Sequence, residues 1–255
     1  FYRTQQSQGT EENPALEYAI YNYGIKPSLE GFEKSGLNET YVMSASKGNT
    51  PEKIRPYRLD YRPLIDRDLT DKAMDFMERS VDDKKPFFLY LPYTATHFPT
   101  MAHPDFKGKS GNGEWADLLM QIDSYLGELQ NKIKELGIEE NTIFVFTADN
   151  GPEALNYGST SITVEGAYQG SAGPWRGTLF TGFEGALRVP FVIKWGNKLK
   201  HRVEDLMISV PDIMPTLLAM AGLEEKIPEQ VQGTNYADAI LNPETSTVQK
   251  PSSVL

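Results

Sequence analysis

Between Lys85 and Gly151 the chain reads as strand, long helix, strand, and this order constrains the fold more than any other feature. "KPFFLYLPY", Lys85 to Tyr93, is a short apolar and aromatic run consistent with a buried strand. "EWADLLMQIDSYLGELQNKIKELG" follows, with Trp115, Leu118, Leu119, Ile122, Leu126, Leu129, Ile133 and Leu136 on one stripe. Gly137 closes that helix. "NTIFVFTADNG", Asn141 to Gly151, is a second apolar strand that turns abruptly polar. A helix of this length is a normal crossover between parallel neighbours.

The flanking segments extend the pattern. "DRDLTDKAMDFMERSV" spaces Leu69, Ala73, Phe76 and Met77 as a helix does, with acidic residues early. "LRVPFVIKWG" reads as another strand, and "VPDIMPTLLAMAG" as a short helix with Asp212 near its start and Gly222 at its end. The order implies an α/β fold, a mostly parallel sheet sandwiched between helices. We expect one partial domain over 1–255: an irregular, loop-rich region at 1–65, an α/β core at 66–222 and a loop-rich tail at 223–255. Within the first region "FYRTQQSQGTEENP" and "SASKGNTPEKIRPYR" read as loops, and "YAIYNY" and "ETYVMSA" as small strands. The chain starts with Phe1 and ends on "KPSSVL", so both ends are expected to be cuts in a longer protein.

Charge and composition exclude some partners. The net charge of −10 argues against a nucleic-acid phosphate backbone. No apolar run reaches bilayer-spanning length. The absence of cysteine removes disulfides, thiolate metal sites and thiol nucleophiles together. Asn38-Glu39-Thr40 is a glycosylation sequon, a triplet that chance supplies often.

Three features carry the candidate chemistry. Asp149 and Asn150 stand where an apolar strand ends, the place where open parallel sheets bind ligands. Their carboxylate and amide oxygens are hard donors suited to Ca2+ or Mg2+, and Gly151 lets the backbone turn behind them. Asp-Asn-Gly is also an ordinary turn, and two donors do not fill a shell of about six oxygens. His97 follows the Lys85–Tyr93 run; a histidine among aromatics is structural in most proteins, and it matters here only if its strand lies near that of Asp149. "GPWRGTLFTGFEGALRVP", Gly173 to Pro190, is a glycine-punctuated loop carrying Arg176, Glu184 and Arg188. Arginine grips tetrahedral oxyanions well. Glu184 and Arg188 are better read as an ion pair that fixes the loop, which leaves Arg176 more open.

In order and spacing, "KPFFLYLPYTATHFP", "TIFVFTADNG", "GPWRGTLFTGFEGALRVPFVIKW" and "VPDIMPTLLAMAG" resemble the sulfatase family of the alkaline phosphatase superfamily. The resemblance spans roughly Asp66 to Gly222. It implies an alkaline phosphatase-like sulfatase domain, incomplete at both ends, that hydrolyses sulfate esters to an alcohol and inorganic sulfate. It implies a formylglycine nucleophile and a divalent cation, Ca2+ with Mg2+ as the alternative, held in part by a late Asp-Asn pair. That pair resembles Asp149 and Asn150. The family histidine resembles His97, placed to touch the sulfate and protonate the leaving oxygen. The substrate would be a small-molecule or glycan sulfate ester, and the compartment periplasmic, secreted or lysosomal.

Two departures limit the resemblance. Where many sulfatases carry a lysine in the glycine loop, this chain has Leu179, and Arg176 is the candidate replacement cation. No Cys-x-Pro-x-Arg or Ser-x-Pro-x-Arg segment, and no early Asp-Asp pair at the end of an apolar strand in the "PNIVFILADD" style, occurs in these 255 residues. The nucleophile is therefore expected in a missing upstream segment, and the 255 residues alone are expected to be inactive. Two other readings stay open: a phosphodiesterase or phosphonate monoester hydrolase of the same superfamily, and a catalytically dead domain that binds sulfated glycans. "LNYGSTSITVEGAYQGSAGP", Leu155 to Pro174, is either a substrate rim or an undistinguished surface loop.

Overall fold

A computed structural model describes residues 2–4, 41–57, 60–97, 100–152, 170–179 and 181–248. The chain divides into two compact units, Phe1–Glu139 with Val145–Val192, and Glu140–Phe144 with Ile193–Leu255.

In the first unit, strands β1 (Tyr2–Thr4), β2 (Tyr41–Ser44) and β3 (Glu52–Pro56) form an antiparallel sheet in the order β1-β2-β3. These three strands lie within 1–65, the stretch expected to be loop-rich. β2 lies in "ETYVMSA", where a small strand was expected, but β1 and β3 fall in segments read as loops. β3 is Glu-Lys-Ile-Arg-Pro and almost wholly exposed. A charged edge strand pairs through its backbone and leaves no apolar alternation to read. "YAIYNY" and the sequon at Asn38 lie outside the described residues.

Val42 anchors this sheet. It packs with Tyr57, Tyr61, Ile65 and Leu69 in one buried cluster, so the sheet sits on the first turns of helix α1 (Ile65–Asp82). α1 turns Ile65, Leu69, Ala73 and Met77 inward at four-residue spacing, the stripe that makes a surface helix amphipathic. Helix α2 (Glu114–Glu135) buries Leu118, Ile122, Tyr125, Leu129 and Ile133. Burying each of these four leucines and isoleucines contributes about 1.5–3 kcal/mol over leaving it exposed. The expected stripe erred at Leu119, which is 45% exposed, and missed Tyr125, which is 1% exposed. Arg67 clasps the two helices together. Its guanidinium donates to Asp71 at 2.6 Å and Glu128 at 2.7 Å and lies 4.6 Å from the Tyr125 ring centroid.

Lys85–Tyr93, expected as a buried strand, is not one among the described residues. Its exposure nevertheless alternates. Phe87, Leu89, Leu91 and Tyr93 are partly covered, while Phe88 and Tyr90 are 80% and 75% exposed. That is the period of a pleated backbone. Composition matched a strand covered on both faces; here one face has cover.

Two polar residues of α2 tie down the loop before it. The Asp117 carboxylate accepts the amides of Gly108 and Ser110 at 2.7 and 2.8 Å, and Gln121 accepts the His103 amide at 2.7 Å. Hydrogen bonding from Ser110, opposed by desolvation and aided by the Gly108 amide, holds the Asp117 carboxyl below its usual value of 3.8. A depressed folded pKa adds stability above the unfolded value and loses it as pH falls through the folded one. Asp117→Asn should therefore cost about 1–3 kcal/mol near neutrality. The gap to wild type should narrow below pH 3.8, the unfolded reference value. Thermal melts at neutral and acid pH measure both; a gap that stays constant with pH would contradict the charge argument.

Strands β4 (Phe144–Thr147) and β5 (Phe191–Lys194) pair with each other where two strands were expected. Between them, in the first unit, lies a short helix α3 (Glu184–Leu187). In the second unit, helix α4 (Val210–Met220) starts on a capping box of Ser209 and Asp212, and Gly222 ends it at φ +74°. Trp195, Met220, Tyr236, Ala237, Ala239 and Ile240 form this unit's core. Three of these belong to helix α5 (Ala237–Leu241), inside the stretch expected as a loop-rich tail. Five residues are too few to show a helical period, which is why the sequence hid it. Among the described residues, no helix is long and apolar enough to cross a membrane.

Candidate functional site

All four candidate residues lie in the first unit. β4 ends at Thr147, and the exposed Asp149 and half-buried Asn150 follow in a bend. The Asn150 side-chain amide donates to the Gly151 carbonyl at 2.9 Å. From there the backbone is stitched to the glycine-rich loop. The Gly151 amide donates to the Ala186 carbonyl at 2.7 Å, and the Leu179 amide donates to the Pro152 carbonyl at 3.0 Å. Within the loop the Gly185 amide donates to the Arg176 carbonyl at 2.8 Å.

Glycine makes this approach feasible. A Cβ on Gly151 would lie 2.0 Å from the Gly185 carbonyl oxygen, and one on Gly185 would lie 2.2 Å from the Gly177 carbonyl oxygen. Backbone lies directly on backbone, closer than any side chain permits. The sequence thus indicated the Asp-Asn-Gly turn and the glycine loop separately, and the fold brings them together.

Glu184 and Arg188 pair with each other, as expected, and the Arg188 guanidinium stacks 3.8 Å from the Trp175 ring centroid. Arg176 is exposed, and its guanidinium lies 4.1 Å from the Phe183 ring centroid. Leu179 is half-buried and contributes its amide to the stitch. The Asp149 and Asn150 oxygens have the hardness that Ca2+ or Mg2+ prefers. Among the described residues no three of His, Cys, Asp and Glu gather as a metal shell.

His97 lies exposed in a turn after the Lys85–Tyr93 run, with its amide bonded to the Thr94 carbonyl at 3.1 Å. Two buried charged residues that sequence reading passed over, Arg62 and Asp66, reach this turn from the start of α1. Asp66 looked like an ordinary helix-start acid. The available signal was its register: Asp66, Thr70, Ala73 and Met77 share the buried face. An acid on that face needs partners.

The comparisons with known proteins agree with one another. The family model described as Sulfatase matches residues 18–223. An N-acetylgalactosamine-6-O-sulfatase of Bacteroides thetaiotaomicron is 33% identical over 171 residues, 63% of this chain and 31% of its own length. Human arylsulfatase A is 35% identical over 150 residues, 59% of this chain and 28% of its own. The crystal structure of the PsFucS1 sulfatase from Pseudoalteromonas sp. superposes with a TM-score of 0.75 at 26% identity, covering 89% of this chain and 44% of that one. The chain thus spans about a third of the length of these two relatives.

Proposed function

Because the chain belongs to the sulfatase family, we propose that the protein containing it is a sulfuric ester hydrolase, releasing an alcohol and inorganic sulfate from a small-molecule or glycan sulfate ester. The observation that carries this reading is the stitch between the two motifs. The amides of Gly151 and Leu179 bind the Asp149–Asn150 turn to the loop that bears Arg176. A tetrahedral anion bound at this junction would be drawn by a cation held on the Asp149 and Asn150 oxygens and by the Arg176 guanidinium.

Asp149 and Asn150 would hold Ca2+, or Mg2+, whose charge neutralises sulfate oxygens and orients the ester. Arg176 grips the remaining oxygens in the role the family gives to a lysine, since Leu179 offers no charge there. His97 donates a proton to the departing oxygen, a general-acid task that imidazole commonly performs. The formylglycine nucleophile lies on chain outside these residues, which contain neither cysteine nor a Ser-x-Pro-x-Arg segment. The 255 residues alone are therefore inactive. This assignment requires His97 and Asp149 to stand at the same rim of a mostly parallel sheet sandwiched between helices, the sheet to which the β4–β5 pair would belong.

The test is a side-by-side assay of the full-length protein on an aryl sulfate and an aryl phosphate diester, with Arg176→Ala as the variant. Sulfate hydrolysis should dominate. The variant should lose about 10- to 100-fold in kcat/KM, the scale of one charged hydrogen bond. Faster hydrolysis of the diester would move the protein to the phosphodiesterase branch, and wild-type turnover by the variant would remove Arg176 from the site.

A further inference from the structure

We propose that Arg62 and Asp66 are positioning residues, which act through Thr94 to hold the His97 turn in one geometry; this rests on the reading of His97 as the proton donor. The two side chains are 4% and 2% exposed, and each spends three hydrogen bonds on residues 94–97. The Asp66 carboxylate accepts the amides of Thr94 and Ala95 at 2.8 and 3.1 Å and the Thr94 hydroxyl at 3.0 Å. Arg62 donates to the Thr94 and His97 carbonyls at 3.2 and 2.6 Å, and to the Thr94 hydroxyl.

The Thr94 hydroxyl is the shared link. It accepts from Arg62 and donates to Asp66, so both of its roles are fixed and it cannot rotate freely. Thr94 is 6% exposed, whereas His97, three residues on, is exposed. Desolvating two charges is costly and adds little stability in itself. A satisfied buried polar network offers instead a single permitted arrangement. A proton donor needs that, because its reach must be right to within about 0.5 Å. The network is rooted where Ile65 packs against Val42 and Tyr61, so its base is a rigid core.

The test uses the full-length protein, two esters that differ in leaving group, and four variants. Phenyl sulfate needs its leaving oxygen protonated much more than 4-nitrophenyl sulfate does. His97→Gln should therefore damage phenyl sulfate turnover far more than 4-nitrophenyl sulfate turnover. Thr94→Val and Arg62→Lys should show the same slant, losing about 10- to 100-fold in kcat on phenyl sulfate, the cost of a proton donor set about 1 Å out of place. KM should stay within about twofold, since binding does not use the proton. Thr94→Ser, which keeps the hydroxyl, should restore the wild-type ratio between the esters.

Equal losses on both esters, or wild-type ratios in Thr94→Val, would overturn the inference and leave Arg62 and Asp66 as packing residues. If His97→Gln itself shows no leaving-group slant, the histidine assignment falls and the positioning inference falls with it. Should Arg62→Lys not fold, the Thr94→Val and Thr94→Ser pair decides, because that change exchanges a hydroxyl for a methyl at constant volume.

Discussion

Asp149→Ala in the full-length protein should lower kcat/KM for an aryl sulfate by about 10^3-fold or more while leaving the melting temperature almost unmoved. The two halves of that expectation have different physical sources. A cation-holding carboxylate underwrites several kcal/mol of charge stabilisation in the transition state, and each 1.36 kcal/mol is tenfold in rate. Among the described residues, in contrast, no hydrogen bond or ion pair uses this side chain. Asp149 is exposed, beyond the end of β4, and substitutions at such positions usually change stability by within about 0.5 kcal/mol. The opposite pattern, a lower melting temperature with turnover retained, is what a plain Asp-Asn-Gly turn would give. Calorimetric titration with Ca2+ supplies a readout free of chemistry: the alanine variant should bind more weakly than wild type. Full turnover by the variant, or unchanged Ca2+ binding, would withdraw the metal assignment.

What could be read in the sequence was what leaves a local period or a local break. α1, α2 and α4 announce themselves by apolar residues three and four apart, and α4 adds an acid at its start and a glycine at its end. Asp149 stood out because an apolar strand stopped on it. The misses share a cause, which is that their reasons lie far away in the chain. β3 is a strand because β2 offers it a partner, with Met43 opposite Lys53. Arg62 and Asp66 matter because of residues 28 to 35 positions later. Lys85–Tyr93 has a strand's composition, but composition cannot show which faces are covered. The Gly151–Gly185 contact belongs to the same class: each glycine is visible in the sequence, and their meeting is not.

That contact supports the second large effect. Gly151→Ala should destabilise the protein by about 1–3 kcal/mol, the usual cost of overpacking, and should lower sulfate turnover by about 100-fold, the scale of a 1 Å misplacement at a site. The new methyl would start 2.0 Å from the Gly185 carbonyl oxygen and 3.0 Å from the Ala186 Cα, both backbone atoms that have no rotamer to yield. The strand end and the glycine loop must separate, which stretches the Gly151–Ala186 hydrogen bond and carries Asp149 and Asn150 away from Arg176. Gly185→Ala should do much the same, because its methyl would meet the Gly177 carbonyl oxygen at 2.2 Å and displace the same loop. The double variant should then cost less than the sum of the two, since one displacement relieves both clashes. Gly127→Ala is the control. It lies inside α2 with nothing within 4 Å of a built Cβ, and alanine there should stabilise by about 1 kcal/mol through helix propensity. A Gly151→Ala protein that melts and turns over like wild type would mean that the two motifs are not packed backbone to backbone, and the shared oxyanion site would lose its structural basis.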